Sequence, residues 1–460
     1  MDQNQDISDL MTEEEKRDIK ESGKSKKKKK KFDPWYDQGD NFVPPILAQY
    51  LMTETPYIYD RNTLYYYRNG YYQPDGDRYI KNRSISLMGD DYRDRHGTEL
   101  ARYVENMLWN PNHILDREAA YINLENGVLD WMANPPQLLP HNPKYLTSIR
   151  IPIHYDPNAT CPEIEQFLAE VLPDDCLDLA YEIFGYCLIP NTQFQKAFML
   201  TGEGDNGKSV FLTLLQTFIG AKNCCAESIQ DLADNRFRIA SLVGKLVNIF
   251  PDLSSKPLDD TSVFKALVSG DVIAAERKGE QSFEFKNYAR MIFSANKLPP
   301  TKDLSHGFFK RWCIIRFPNQ FPEGSPKRDS AKQDKVTRPA ELSGLLNLAI
   351  SGLVRLFTQR AFSKPQSTER QLQGYRYEND NVLIFFDECC QPVIGAKISK
   401  DQLYSAYEKW CDGGGFRNIS RMNFNKHIKT VFPHVTEDTN GIRKWIGIAL
   451  NESEHPETAP

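Results

Sequence analysis

A glycine-rich segment at residues 202–209 carries the residues whose chemistry is easiest to infer. It contains Lys208 and Ser209 in the order G-E-G-D-N-G-K-S, between an apolar run at Phe198–Leu200 and an amphipathic stretch at Val210–Phe218. Strand, loop and helix in this order predict a phosphate-binding loop, whose backbone N–H groups and helix N-terminus attract phosphate. Lys208 is expected to reach the β and γ phosphates of ATP or GTP, and Ser209 to ligate Mg²⁺. The predicted nucleotide-binding residues are Gly202, Glu203, Gly204, Asp205, Asn206, Gly207, Lys208, Ser209 and Val210.

Two later apolar runs end near polar side chains that could take part in hydrolysis. Asp252 lies just beyond the run Leu246–Phe250, where an acid can hold Mg²⁺ through water or orient the attacking water. Asp259 and Asp260 are the next acids that could take this role. The run A-R-M-I-F-S-A ends at Asn296, whose side chain could contact the γ-phosphate and the lytic water. An ordinary turn before Lys-Leu-Pro-Pro is the alternative for this asparagine.

A pair of predicted strands lies between these two runs. Val272–Ala275 and Gln281–Phe285 are joined by a turn that contains Arg277 and Lys278. A hairpin with a basic tip could reach into a central channel and hold a DNA backbone. A charged turn that faces solvent is the alternative interpretation.

The basic pair Lys310 and Arg311 immediately precedes another apolar strand. Arg311 is predicted to be an arginine finger, which stabilises transition-state charge on the ATP of a neighbouring subunit. A basic pair at the surface without a catalytic role is the alternative.

Composition limits the classes of protein that remain. The 460 residues carry a net charge of −5 and are 40% hydrophobic, so several packed domains are expected and any DNA contact must come from local basic patches. Nine cysteines without C-x-x-C spacing and eight scattered histidines argue against a disulfide framework or a zinc site. No apolar run approaches the ~18 residues of a membrane span, and the charged N-terminus is unlike a signal peptide. We therefore expect a cytoplasmic protein without a membrane partner.

Patterning of the rest of the chain predicts the elements around these residues. Strands and helices alternate over residues 196–318, which is typical of an α/β nucleotide-binding domain, and a helical region at Pro162–Ile189 precedes them. Upstream lies a tyrosine-rich region with a hairpin turn at Asn69-Gly70, whose tyrosines could cover a sheet or stack on bases. Downstream, a polar linker at Glu323–Lys335 leads to a helix around Glu341–Arg360.

The C-terminal part combines two predicted helices with two short strands. The helices are Lys400–Cys411 and Ser420–Phe432, with Ser420 as N-cap, and the strands are joined by a turn at Asn440-Gly441. This pattern predicts a winged helix, a fold that binds DNA in some proteins and docks proteins in others. The candidate DNA contacts here are Arg421, Lys426, Lys429, Arg443 and Lys444.

The order of the motifs resembles that of superfamily 3 helicases, which are AAA+ motors. The phosphate loop comes first and is followed by an acidic residue at the end of a strand. A hairpin with the motif K-x-L-x-S-G-D, a strand that ends in asparagine, and a basic pair before another strand come next. The sequence is most similar to the phage and plasmid primase-helicase family, which is related to the poxvirus primase-helicase. The segment Y-I-N-L-E-N-G-V-L-D is similar to the domain before that motor, and S-K-D-Q-L-Y-S-A-Y-E-K-W-C to the winged helix after it. The resemblance covers about Phe32–Leu450.

The resemblance implies an α/β fold built on an AAA+ P-loop motor, with an α+β N-terminal domain and a C-terminal winged helix. It implies a hexameric, ATP-dependent DNA helicase that moves 3′ to 5′ during replication of a phage, virus, plasmid or integrated mobile element. Lys208, Asp252, Asn296 and Arg311 would act in hydrolysis, Ser209 and Asp252 would hold Mg²⁺, and single-stranded DNA would occupy the channel, with duplex DNA at the winged helix. The expected segments are a disordered basic tail at 1–32, the N-terminal domain at 33–160, the motor with a helical entry at 161–325, a linker and helices at 326–375, the winged helix at 376–450 and a tail at 451–460.

Two departures from the family pattern affect this interpretation. The acidic strand end is Pro251-Asp252, where a glutamate or a pair of acids is more usual, so the residue that activates water stays open. The region before the motor is short for a primase, and Asp75-Gly76-Asp77 is predicted to be a loop, so a primase or polymerase is expected to act in trans. The alternative function is an ATP switch that loads at or melts an origin without processive unwinding.

Overall fold

The computed structural model describes residues 34–37, 41–110, 112, 115–279, 282–416, 418–432, 434–438 and 443–451. The predicted basic tail, most of the predicted C-terminal tail and the predicted turn at Asn440-Gly441 lie outside these residues. The chain divides into two compact units, Met1–His113 and Ile114–Pro460. The N-terminal domain predicted at residues 33–160 spans parts of both units and stays a prediction.

The first unit combines helices with a three-stranded antiparallel sheet of order β1-β2-β3. Asn69 and Gly70 both have positive φ, 54° and 87°, in the predicted turn between β2 and β3. Tyr57 and Tyr72 are buried, which supports the interpretation that these tyrosines cover the sheet. The segment Asp75-Gly76-Asp77, predicted to be a loop, begins a helix instead. The elements are α1 (Pro44–Glu54), β1 (Tyr57–Asp60), β2 (Thr63–Arg68), β3 (Tyr71–Gln73), α2 (Gly76–Met88) and α3 (Asp94–Leu108).

The second unit begins with a small antiparallel sheet that shares a core with the helices after it. The sheet buries Ile122, Leu129 and Trp131 in the same apolar cluster as Ile164 and Phe184 of those helices. Residues 114–160 therefore depend on the following region for their core, which explains why the division falls at residue 113. The elements are β4 (Tyr121–Asn123), β5 (Val128–Asp130), β6 (Gln137–Leu139), α4 (Pro162–Val171) and α5 (Leu177–Tyr186).

A five-stranded parallel sheet forms the centre of this unit. The strand order is β13-β7-β12-β9-β8, so β7 lies between two parallel neighbours. Every residue of β7 and β12 is buried, as expected for parallel strands covered on both faces. The elements are β7 (Ala197–Thr201), α6 (Lys208–Ile219), β8 (Cys224–Cys225), α7 (Ile229–Asp234), α8 (Arg236–Ile239), β9 (Val247–Phe250), α9 (Ser262–Ser269), β10 (Val272–Ala275), β11 (Phe283–Lys286), β12 (Arg290–Ala295), α10 (His306–Phe309) and β13 (Trp312–Arg316).

Alternating side chains of β7 divide the core into two layers. Phe198 and Leu200 join the apolar cluster of α4, α5 and α6, whereas Ala197 and Met199 join the cluster on the other face. Because the strands are parallel, their carboxyl ends meet at one edge, where ligands of open α/β sheets bind. The phosphate loop follows β7 at this edge, Asp252 follows β9 and Asn296 follows β12.

Three helices follow the sheet, and one of them is unusually long and apolar. They are α11 (Lys332–Val336), α12 (Pro339–Gln359) and α13 (Gln366–Glu378). By length and composition α12 could cross a membrane, contrary to the expectation that no apolar run approaches that length. It is 61% buried, and a Cβ on Gly352 would lie 2.5 Å from the backbone of Tyr181, so α12 packs directly on α5 as a core helix.

The C-terminal region has its own core, centred on Phe385, Phe424 and Trp445. Both predicted helices are confirmed, and the Ser420 side chain accepts a hydrogen bond from the backbone N–H of Asn423 at the start of the second. The sheet has three strands in the order β14-β16-β15, whereas two were predicted. The additional strand contains Pro392 and Gly395, which made its sequence unlike a strand. The elements are α14 (Asn381–Cys389), β14 (Cys390–Ser399), α15 (Lys400–Gly414), α16 (Arg421–Val431), β15 (Thr436–Asp438) and β16 (Lys444–Leu450).

Candidate nucleotide-binding site

The loop between β7 and α6 has the backbone conformation that its glycines permit. Gly204 and Gly207 have φ of 76° and 86°, values that other residues rarely adopt. A Cβ on Gly207 would also lie 2.6 Å from the Val171 side chain, so the loop packs tightly against α4. The loop therefore exposes backbone N–H groups at the N-terminus of α6, which is the arrangement that attracts phosphate.

Lys208 links this loop to the end of β12. Its Nζ donates to the Gly202 carbonyl oxygen at 2.6 Å, to Asn206 Oδ1 at 3.2 Å and to Asn296 Oδ1 at 3.3 Å. The side chain is buried rather than exposed, and burial lowers the pKa of Lys208 while the nearby Asp252 carboxylate raises it. A partly desolvated ammonium at this position attracts anions strongly, because water screens it less.

A cleft of 620 Å³ opens above the loop. It is large enough for a nucleotide, since ligand pockets usually measure about 300–1,000 Å³. The structure brings Lys208, Ser209, Asp252 and Asn296 together in its walls. Gly204–Val210 also line it, whereas Gly202 and Glu203 do not.

The oxygen ligands available in the cleft suit Mg²⁺. Ser209 and Asp252 are both exposed there and offer a hydroxyl and a carboxylate. In the part of the chain that the structure describes, no group of three or more His, Cys, Asp or Glu residues could hold a metal ion. Mg²⁺ at nucleotide sites needs only one or two protein ligands besides phosphate and water, so this donor set fits it.

Of the three candidate acids, Asp252 is the one that lines the cleft. Asp259 pairs with Lys302 at 2.5 Å, and Asp260 accepts a hydrogen bond from the Ser262 backbone N–H at 2.8 Å. Neither of these two residues is among those that line the cleft.

We predict that Asp252→Asn lowers ATP turnover by about 10²-fold or more while ATP still binds, because the amide cannot serve as base or anionic metal ligand. Turnover and binding of a non-hydrolysable ATP analogue are measured separately. Asp259→Asn is the matched control and should keep normal turnover. Normal turnover in Asp252→Asn together with reduced turnover in Asp259→Asn would assign the acidic role to Asp259.

A polar segment predicted to be a linker forms one wall of the cleft. Lys327, Arg328, Lys332 and Gln333 of this segment line the cleft, and so does Phe321, which precedes the segment. The stretch was missed because a charged sequence between two domains usually indicates a solvated connection. The density of basic residues in S-P-K-R-D-S-A-K-Q-D-K was the signal that could have identified it.

Arg311 does not line the cleft of its own chain. Its Nη2 donates to Ser269 Oγ at 2.6 Å, and its Nη1 donates to the Gly307 carbonyl oxygen. The backbone around it is fixed to the start of β7, because the Ala197 N–H donates to the Arg311 carbonyl oxygen at 2.7 Å. The adjacent Lys196 Nζ donates to the Lys310 carbonyl oxygen at 2.6 Å.

The predicted basic hairpin consists of the antiparallel strands β10 and β11. The second strand begins at Phe283 rather than at the predicted Gln281, which lies outside the described residues. Lys278 is exposed, and the Arg277 guanidinium lies 4.9 Å from the ring centre of Phe283. Lys278 therefore places one exposed positive charge at the tip of the hairpin.

A second basic element lies beside this hairpin and was missed in the sequence. Arg236 of α8 pairs with Glu276 at 3.3 Å, next to the tip. Its neighbour Phe237 has 53% of its surface exposed, which is high for a phenylalanine. The triplet R-F-R could have indicated this site, since basic and aromatic side chains together are typical of single-strand binding surfaces.

The five cations predicted to bind DNA in the C-terminal region differ in their surroundings. Arg421 pairs with Asp401, and Lys429 lies 3.0 Å from Glu437. The two carboxylates would compete with a DNA phosphate for Arg421 and Lys429. Lys426 and Arg443 are exposed, and Lys444 is half-buried.

Comparisons with protein families match three segments of the chain. Residues 19–173 match a family described as "D5 N terminal like", and residues 377–447 match "Poxvirus D5 protein-like". Residues 200–311, which include the phosphate loop and Arg311, match a "Family of unknown function (DUF5906)".

Two curated viral relatives carry helicase names. Protein 121R of Invertebrate iridescent virus 3 is 22% identical over 408 residues, and L207/L206 of Acanthamoeba polyphaga mimivirus is 25% identical over 339 residues. These matches cover 79% and 66% of this chain. The chain spans only 43% and 34% of the length of these two relatives.

Solved structures show a similar fold. The A form apo structure of the NrS-1 C-terminal region aligns with a TM-score of 0.52 at 11% identity, and it covers 89% of this chain and 100% of that one. A second structure of the same region, residues 305–718, aligns with a TM-score of 0.51 at 12% identity, and it covers 88% of this chain and 99% of that one. The mixed α/β architecture with a parallel sheet is therefore shared with that region.

Proposed function

We propose that this chain is the motor of an ATP-dependent DNA helicase of the superfamily 3, AAA+ class, which unwinds DNA during replication of a virus, phage, plasmid or integrated mobile element. The observation that carries the proposal is the contact between Lys208 and Asn296 in a cleft that also contains Ser209 and Asp252. These four side chains come from three strand ends and supply the groups that phosphoryl transfer needs. The helicase names of the viral relatives support the same activity.

In this mechanism the loop N–H groups and Lys208 bind the β and γ phosphates. Mg²⁺ would neutralise phosphate charge from a position held by Ser209 and Asp252. Asn296 lies close enough to Lys208 to share a phosphate oxygen with it and to orient the attacking water. Asp252 accepts hydrogen bonds from that water and is the candidate base.

We infer that each site is completed by a neighbouring subunit in a ring, which we propose is a hexamer. Arg311 supports this assembly because it lies outside its own cleft, on a turn fixed by β7. Head-to-tail contacts in a closed ring would bring each Arg311 to the cleft of the next subunit. The 3′ to 5′ direction of movement is part of the same proposal.

The DNA contacts that we propose fall into two groups. Arg277 and Lys278 at the hairpin tip, with Arg236 and Phe237 beside them, would hold single-stranded DNA in the channel through phosphate contact and stacking. The C-terminal region would bind duplex DNA as a winged helix through Lys426 and Arg443, with smaller contributions from the paired Arg421 and Lys429. A primase or polymerase is a further partner in this proposal.

We predict that Lys278→Ala lowers DNA unwinding and DNA-stimulated turnover while basal ATP turnover persists, because Lys278 lies away from the cleft. The slope of log affinity for single-stranded DNA against log salt should fall by about one unit for each lost phosphate contact. The matched control is Lys222→Ala, which removes the same charge from an exposed turn.

Strand displacement on a forked duplex with 3′ and 5′ tails tests the whole proposal. ATP-dependent displacement, lost in Lys278→Ala and kept in Lys222→Ala, is the expected result. ATP hydrolysis without displacement on any fork would favour the alternative, an origin-melting initiator or loader. Equal loss of basal turnover and unwinding in Lys278→Ala would mean that the turn is structural.

A further inference from the structure

Residues 319–333, which we call the strap, follow β13, and several of them line the cleft. The strap is attached to α4 and to the phosphate loop. The Asn319 Nδ2 donates to the Glu170 carbonyl oxygen of α4 at 2.8 Å, and the Phe321 N–H donates to the Asp205 carbonyl oxygen at 2.5 Å. The strap is therefore part of the cleft wall within the same chain.

Two ion pairs connect the strap to the same two residues. Arg328 lies 3.5 Å from the Asp205 carboxylate, and Lys332 lies 3.0 Å from that of Glu170. The two pairs differ in exposure. Arg328 and Asp205 have 44% and 59% of their side chains exposed, whereas Lys332 has only 14%. The Lys332 pair therefore holds the strap to α4, while the Arg328 pair is the weaker one and can exchange partners.

A nucleotide triphosphate would compete directly for Arg328. Asp205 belongs to the phosphate loop, so its partner Arg328 is one side chain away from the bound phosphates. A guanidinium forms charge-assisted, bidentate hydrogen bonds with phosphate that are stronger than a single exposed contact with a carboxylate. Asp205 would also repel the phosphates unless a cation lay between them.

We propose that Arg328 is a triphosphate ligand supplied by the strap, which moves from Asp205 to the phosphates when the nucleotide binds, and that the Lys332–Glu170 pair positions it. This inference rests on the proposed nucleotide site and adds a cation from the same chain to it. Arg328 would therefore act independently of Arg311, which comes from the neighbouring subunit.

The test is calorimetric titration of the full-length chain with a non-hydrolysable ATP analogue and, separately, with AMP. In Arg328→Ala, the ATP analogue should bind about 10- to 100-fold more weakly, which is the usual effect of losing a hydrogen bond to a charged group. AMP should bind with nearly unchanged affinity, because it lacks the outer phosphates. Arg328→Lys should recover part of the lost affinity.

The matched control is Lys335→Ala, because Lys335 pairs with Asp329 at 2.7 Å and does not line the cleft. This variant should bind both ligands as the unaltered chain does. Equal weakening of the ATP analogue and AMP in Arg328→Ala would show a structural role and overturn the proposal. Unchanged binding in Arg328→Ala, together with weak binding in Lys208→Ala, would reject the strap ligand but keep the nucleotide site. Unchanged binding in both variants would reject the proposed function itself.

Discussion

Replacing Lys208 with alanine is expected to reduce ATP hydrolysis to background. Lys208 is the side chain that joins the phosphate loop to Asn296, and burial makes its ammonium a strong ligand for phosphate. Without it, the transferred phosphoryl group loses a positive charge in the transition state, where electrostatic stabilisation contributes most. Turnover is measured at saturating ATP, with and without single-stranded DNA.

Because Lys208 is buried, the fold of this variant has to be verified. Its partners Gly202, Asn206 and Asn296 lie at the edge of the sheet rather than in the apolar clusters, so we expect a modest fall in melting temperature and an unchanged circular dichroism spectrum. Lys222→Ala serves as the surface control and should hydrolyse normally. Normal turnover in folded Lys208→Ala would contradict the motor interpretation as a whole.

The second large effect is expected at Arg311. Arg311→Ala should lower turnover by about 10³-fold or more, as loss of an arginine finger does. Lys310→Ala is the matched control, because the exposed Lys310 residue belongs to the same turn and its backbone N–H and carbonyl, which form hydrogen bonds there, are kept in alanine. Steady-state ATP turnover is the measurement.

Mixing two inactive variants distinguishes a finger that acts between subunits from an arginine that acts within one. Lys208→Ala subunits keep Arg311, and Arg311→Ala subunits keep the phosphate loop. In rings assembled from equal amounts, roughly a quarter of the head-to-tail interfaces would combine an intact loop with an intact arginine. Hydrolysis should therefore return on mixing, whereas unwinding stays low if translocation needs successive active sites.

Mixed rings that stay inactive would contradict a finger that acts between subunits. If mixed rings form, as judged by co-purification of two differently tagged variants, and remain inactive at every ratio, Arg311 acts within its own subunit. The hydrogen bond from Arg311 to Ser269 would then be the first contact to examine, since it holds the guanidinium away from the cleft.

Much of the sheet could be predicted from apolar runs and the polar residues that end them. Phe198–Leu200 and Leu246–Phe250 were correctly assigned as strands because parallel strands covered on both faces have continuous apolar sequences. Asn296 was placed near the phosphate loop by the same reasoning, and its contact with Lys208 agrees. The N-cap Ser420 was predictable because capping is a local interaction.

The features that were missed depend on long-range packing. The strap is as polar as a solvated linker, and only its contacts with Glu170 and Asp205 distinguish it from one. Ile122 and Trp131 share a core with helices much later in the chain, and local patterning does not reveal this. In the C-terminal region, the sequence identified Lys429 as a cation but did not show that Glu437 pairs with it in the fold.

The two ends of β7 have different partners, and this has a mechanical consequence. Its carboxyl end leads into the phosphate loop, and its amino end is hydrogen-bonded to the backbone of Arg311. A five-residue strand is about 17 Å long and, packed on both faces, is nearly incompressible. In the proposed ring, β7 would be a rigid connection between two nucleotides. One would lie at its carboxyl end, and the nucleotide of the neighbouring subunit would lie beyond its amino end. A small displacement of the phosphate loop on phosphate release would then be transmitted to the next subunit. Successive hydrolysis events would therefore follow one another around the ring in one direction.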